Sequence, residues 1–175
     1  MKRVLLIFLV FATFAVSATA QKRFSQLSRG DIFPDIMFRT IDNELLTTEN
    51  VRGKVVFYNF YFAACGPCIS QKKVLNELYE KFHTDDVVFI SLTSDNYETT
   101  KQFRDKHEMK FKVVSMNKEE RLRFAAGSYP TNILVGADGK IVLKMTGSRD
   151  NQTRDRFSSA MQNEIQKLKK YSDEY

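Results

Sequence analysis

The chain holds two cysteines, and they stand together as Cys65-Gly66-Pro67-Cys68. A pair this close closes almost no loop, so a bond between the two sulfurs staples nothing distant. It can open and close, and thiol–disulfide exchange is the chemistry that neighbouring thiols support. Residues 55–62, just before the pair, are apolar almost throughout and read as a buried strand. Residues 69–82, just after it, read as an amphipathic helix. Val74, Leu75, Leu78 and Phe82 share one face, and Lys72, Lys73, Glu77 and Lys81 the other. Cys65 therefore sits where a helix begins, and unpaired backbone N–H groups and the helix dipole favour a thiolate there. Cys65 is the expected nucleophile and Cys68, one turn in, the resolving thiol. Gly66 and Pro67 fill the first turn, where the missing N–H of Pro67 costs nothing.

The surrounding chain has to position that pair. At 175 residues, with 43% apolar and 27% charged content, it suits one domain with a sizeable core. Residues 1–20 read as a signal peptide. Lys2 and Arg3 precede an apolar run over 4–14, and Ala18-Thr19-Ala20 is a small-x-small cleavage pattern. The run is shorter than the roughly 20 residues of a spanning helix. The expectation is cleavage after Ala20, export to the periplasm or another extracytoplasmic space, and no stable membrane insertion afterwards. Losing Lys2 and Arg3 lowers the net charge from +6 to +4. That excess is modest, and 167–170 (Lys-Leu-Lys-Lys) reads as a solvated helix end; no nucleic-acid partner is expected. An exported chain with a structural disulfide joins distant cysteines. This one keeps only an adjacent pair, as chemistry requires.

Residues 21–33 read as a flexible leader and 34–171 as the folded domain. Within it, 35–46 form a hairpin and 48–53 a short turn or helix ended by Gly53. Residues 87–92 form a second buried strand, parallel to the first across the intervening helix. A polar helix over 97–107 carries Phe103, and 111–114 is a short extended piece. A helix over 119–126 ends at Gly127. Residues 132–135 and 140–145 form a hairpin about Asp138-Gly139. A closing helix over 150–170 carries Phe157, Met161, Ile165 and Leu168 on one stripe. Asp95, at a strand end, reads as the cap of the next helix.

This order, with C-G-P-C at the first helix start and Pro130 opening the later hairpin, resembles the thioredoxin-like fold: α/β, a central mixed sheet flanked by helices, with an N-terminal β-hairpin extension. The details are similar to its exported TlpA/ResA-like branch. The residues that carry this are Asp31, Pro34 and Asp35; Val55, Val56, Asn59, Phe60, Ala63, Cys65, Pro67 and Cys68; and Tyr129-Pro130-Thr131-Asn132 with Val135 and Ala137 to Ile141. The resemblance implies a thiol-disulfide oxidoreductase without a cofactor. It acts on protein disulfides, most often as a reductant drawing electrons from a membrane thiol carrier. It also implies a cis bond before Pro130 and a substrate-binding segment at Tyr129, Pro130 and Thr131, with Asn59 and Gln71 in support. Phe62, Ala63, Ala64 and Tyr129 then line a substrate groove.

Three positions depart from that pattern. Ala64 replaces a Trp usual before the first cysteine. Asn59 stands where thioredoxin has a buried Asp, and Gln71 where a Glu is common in this branch. With no acid at either place, the expectation is a poorly activated Cys68 whose proton goes to water or substrate. Resolution of the mixed disulfide is then slow, and Gln71→Glu speeds it in stopped-flow kinetics.

Two other functions compete. Thiol peroxidases share the fold but usually carry Thr-x-x-Cys, and Phe62 occupies the Thr position here. A non-enzymatic metal- or partner-binding module needs ligands beyond two thiols. His107, Met109 and Met116 are the only set worth weighing, and His83 and His107 read as surface residues. No metal is expected.

Overall fold

The first reversal of the chain comes at Asp42-Asn43, where Asn43 takes a left-handed φ of 67° that asparagine tolerates. In this computed structural model, which describes residues 22–173, it joins β1 (Met37–Arg39) to β2 (Leu45–Thr47) as an antiparallel hairpin. Thr47 then caps α1 (Thr48–Val51), accepting from the Asn50 N–H while Asn50 Oδ1 accepts from the Thr47 N–H. The signal-peptide expectation falls on residues 1–20, outside the described residues.

A second sheet has five strands in the order β5-β4-β3-β6-β7. These are β3 (Val55–Tyr61), β4 (Val87–Thr93), β5 (Lys112–Ser115), β6 (Thr131–Val135) and β7 (Ile141–Thr146). β3, β4 and β5 run parallel, while β6 is antiparallel to β3 and to β7, so the sheet is mixed. The short extended piece expected near 111–114 is β5, the sheet edge. The helices are α2 (Gly66–Ser70), α3 (Lys72–Phe82), α4 (Tyr97–Lys106), α5 (Lys118–Arg123) and α6 (Asp150–Asp173). The expected helix after the cysteines is thus two helices joined at Gln71. The fold is the expected thioredoxin-like sheet with an N-terminal hairpin.

β3 is buried on both faces, as a central strand covered on each side must be. Its alternate residues belong to two separate core layers. Val55, Phe57 and Tyr61 join Leu75, Leu78 and Phe82 of α3, Phe103 of α4, Phe157 and Met161 of α6, and both cysteines. Val56, Tyr58 and Phe60 join Phe24, Phe33, Phe38, Leu46 and Phe124. In this second layer Phe33 stacks on Tyr58 at 4.2 Å, and Phe124 meets Phe24 at 5.3 Å and Phe38 at 4.9 Å. Each such side chain contributes about 1.5–3 kcal/mol by burial.

The second layer corrects the flexible leader. Phe24 and Phe33 are buried, and Phe24–Gln26 is a single 3₁₀ turn. Lys144 of β7 donates to the carbonyls of Ser25 (2.8 Å) and Leu27 (2.9 Å), and the Gly30 N–H donates to Ile141 (2.8 Å). A polar sequence hid two aromatic anchors that need the hairpin and Phe124 to complete their burial.

Candidate active site

β3 ends at Tyr61, and the chain turns sharply before α2, with the Cys65 N–H donating to the Phe62 carbonyl at 3.1 Å. Cys65 is the N-cap of α2: it has extended backbone, and its Sγ accepts the Cys68 N–H at 3.1 Å. The helix terminus thus directs a backbone donor at this sulfur, which favours its anionic form. Pro67 lies in the first turn. Cys65 and Cys68 are joined as a disulfide, with Cα atoms 5.2 Å apart. Cys65 is 5% exposed and Cys68 1%, so Cys65 is the outer sulfur. Gly66, Pro67 and Ala64 are exposed around it.

Asp95 holds the preceding loop. Its Oδ2 accepts from the Ala63 N–H at 2.6 Å and from the Thr93 hydroxyl at 2.7 Å. The expected capping role belongs to its neighbour: Asn96 accepts the Thr99 N–H at 2.9 Å and caps α4. A carboxylate at the end of β4 therefore reaches across to β3 and fixes the turn that presents Cys65.

The Tyr129–Pro130 bond is cis. Tyr129 is half-buried and meets Phe62 edge-on at 5.4 Å, and Phe62, Ala63 and Tyr129 all pack against the core layer that contains both cysteines. Thr131 is fully buried and its hydroxyl donates to the Ser128 carbonyl at 2.7 Å. Its side chain holds the turn that leads into β6.

Beneath the pair lies a row of polar side chains in an otherwise apolar layer. Asn59 of β3 has Ser91 of β4 and Asn132 of β6 as its partners in register. Asn59 Oδ1 accepts from Lys72 Nζ at 2.9 Å and from the Ser91 hydroxyl at 3.3 Å. Asn59 Nδ2 donates to Asn132 Oδ1 at 2.8 Å, and Asn132 Nδ2 to Gln71 Oε1 at 2.8 Å. Gln71 Nε2 donates to Thr153 Oγ1 of α6 at 3.3 Å. Asn59 and Gln71 are thus joined through Asn132.

Lys72 is the correction this row brings. The sequence pattern places it on the solvent face of the helix with Lys73, Glu77 and Lys81, yet it is 4% exposed. Lys72 lies four residues after Cys68 and three before Leu75, on one buried stripe that continues through Gln71. Its Nζ stands 4.1 Å from the centre of the Tyr61 ring and 5.5 Å from that of Phe103. Burial lowers its pKa to about 7. Tyr61 Oη is buried without a hydrogen-bond partner among the described residues. Burial, with a smaller contribution from Asp95, raises its pKa.

Lys72, Ser91, Asn132 and Thr153 were not assigned roles from sequence. A signal existed for each: the spacing of Lys72 to Leu75, of Thr153 to Phe157, and polar residues inside the buried strands β4 and β6. His107 stacks near Phe103 at 4.4 Å, and burial lowers its pKa, helped by the charges of Lys106 and Lys72. Met109 and Met116 lie in different core layers, so they do not converge with His107 on one ion.

The comparisons with known proteins agree with this geometry. The family model Redoxin matches residues 28–162. The thiol-disulfide oxidoreductase ResA of Bacillus cereus is 30% identical over 132 residues, covering 74% of each chain. The thioredoxin-like protein YneN of Bacillus subtilis is 24% identical, over 79% of this chain and 84% of its own. A thiol:disulfide interchange protein from a Bacteroides species superposes with a TM-score of 0.67 at 22% identity, over 76% of this chain and 90% of that one. Such a match, at that identity, shows the fold. Over most of its length, then, this chain belongs to the Redoxin family, as a ResA-type thiol-disulfide oxidoreductase of the thioredoxin-like superfamily.

Proposed function

We propose that the chain is an exported reductant of protein disulfides that works through Cys65-Gly66-Pro67-Cys68. The observation that carries this reading is the bonded pair at the start of α2, with Cys65 outermost and its sulfur facing a backbone donor. Cys65 attacks a substrate disulfide, forming a mixed disulfide and releasing one substrate thiol. Cys68 then attacks Cys65, which releases the second substrate thiol and leaves the bond seen here. Tyr129 and Pro130 supply the substrate-facing segment, with Phe62 and Ala63 on the other side. Thr131 supports that segment through its turn. Asn59 and Gln71 support the pair from below.

The Gly-Pro dipeptide between the cysteines goes with a reducing potential, which favours the reductant direction. The sequence features of residues 1–20 support export, with a membrane thiol carrier as the electron source. Among the described residues no helix is long and apolar enough to cross a membrane. The chemistry calls for no cofactor.

Reduction of insulin disulfides by the dithiol form tests the function. Wild-type protein turns insulin over with a thiol donor, and Cys65→Ser is inactive. Cys68→Ser accumulates a mixed disulfide visible as a mass increase. Equal activity of Cys65→Ser and wild type rules the reading out.

A further inference from the structure

Residues 59 and 71 carry no acid, but the buried row holds one amine, that of Lys72. We infer that the Lys72 amine accepts the proton that the Cys68 thiol gives up in the resolving step. This role rests on the dithiol chemistry proposed above.

Cys68 and Lys72 are four residues apart across the α2–α3 junction. Gln71 keeps right-handed helical backbone there, with φ −74° and ψ −14°, and residues at this spacing sit on one helix face. Both are buried, at 1% and 4% exposure. The Tyr61 ring, 4.1 Å from Lys72 Nζ, belongs to the core layer that contains both cysteines.

The surroundings suit both states of the amine. A charged ammonium has three N–H donors, and the protein oxygen that receives one is Asn59 Oδ1. Burial with so few acceptors makes the neutral amine accessible near neutral pH. Once protonated, the group is held by Asn59 Oδ1 and by the faces of Tyr61 and Phe103. Asn59 Nδ2 donates to Asn132, whose own Nδ2 donates to Gln71. The amide row therefore keeps an oxygen pointed at Lys72.

Other titratable groups near Lys72 are few. β3 presents Tyr61, and β4 presents the neutral Ser91. The end of α4 presents His107, whose pKa the Lys72 charge helps to lower. Lys72 also lines an open groove beside Ile69 and Ser70, whose other charged walls are Lys73, Glu77, Glu80, Lys81, Glu108 and Lys110. None of these carboxylates forms an ion pair with Lys72 among the described residues.

The step balances as follows. In the mixed disulfide, the Cys68 S–H proton passes to the Lys72 amine. The Cys68 thiolate attacks Cys65 Sγ; the Cys65–Cys68 bond forms and the bond from Cys65 to the substrate sulfur breaks. The substrate leaves as a thiolate and is protonated from solvent, and Lys72 gives its proton up to solvent before the next cycle. Over both steps the two electrons of the dithiol reduce the substrate disulfide.

The test mixes the reduced full chain with a symmetrical nitrobenzoate disulfide and follows the two coloured thiolates by stopped flow. The first phase reports attack by Cys65 and the second reports resolution by Cys68. In wild type the second-phase rate rises through pH about 7 and levels off. Lys72→Met leaves the first phase intact, which also shows that the variant is folded. It slows the second phase at least about tenfold at pH 7 and shifts its pH dependence upward, toward thiol ionisation. Lys72→Arg, which stays protonated, fails to restore the rate. A second phase in Lys72→Met with wild-type rate and pH profile overturns the role of Lys72 and leaves the reductant reading intact. Wild type that releases only one thiolate overturns both. Should the variants not fold, ¹³Cε titration of Lys72 in reduced wild type decides. A midpoint near 7 supports the role, and one near the ordinary 10.5 sinks it.

Discussion

On one face of β3, Val56, Tyr58 and Phe60 join a layer of aromatic rings with Phe24, Phe33, Phe38 and Phe124. On the other, Val55, Phe57 and Tyr61 flank Asn59, whose partners across the sheet are Ser91 and Asn132. Both faces are equally dry, and only the second carries a hydrogen-bonded row. That row lies in the layer that holds the cysteines and ends at Lys72 and Thr153. The aromatic face stabilises the fold without selecting a chemistry. The polar row burdens the fold with desolvated groups and places them where a thiol must gain and lose a proton.

Substitutions on the two faces separate these contributions. Phe60→Ala, in the aromatic layer, destabilises by about 3–5 kcal/mol in denaturant unfolding. It leaves the reduction potential of the cysteine pair unchanged, and a changed potential would break the division between the faces. Asn59→Leu strips a partner from Lys72 Nζ and from Asn132 Oδ1. It costs about 2–3 kcal/mol and also alters the pH dependence of resolution, which Phe60→Ala does not.

A third effect appears with pH. The unfolded chain keeps Lys72 protonated up to the ordinary 10.5, whereas the folded chain releases that proton near 7. Between those values the unfolded state binds more protons, so stability rises with pH, by up to about 1.4 kcal/mol per unit from this group. Below about pH 7 both states are protonated and the gain is absent. Lys72→Met removes this slope, and thermal melts of wild type and variant across that range reveal it. The smallest effect returns to the aromatic face. Lys144→Met frees the carbonyls of Ser25 and Leu27 and loosens the N-terminal segment by about 1 kcal/mol. The readout is faster amide exchange at Ser25 to Leu27 with normal disulfide reduction.

Much of this contrast was legible in the sequence. The spacing of Cys65 and Cys68, the doubly apolar β3 and the Asp138-Gly139 hairpin are local patterns, and each appears where expected. What escaped depends on neighbours distant in sequence. Phe24 and Phe33 look like leader residues until Tyr58, Phe60 and Phe124 surround them. Asp95 looks like a cap until β3 brings the Ala63 N–H within 2.6 Å. Lys72 reads as a solvent-face charge, although its spacing to Leu75 fits the buried stripe.

The central claim is that Cys65 and Cys68 form a reducing dithiol couple, and its reduction potential tests that most directly. Equilibration in thiol–disulfide buffers, followed by alkylation and mass measurement, gives the fraction of each form. The account predicts a reversible two-electron transition near the thioredoxin value of about −270 mV. A transition near about −120 mV, the range of a strong oxidant, or a pair that does not titrate reversibly, would contradict it.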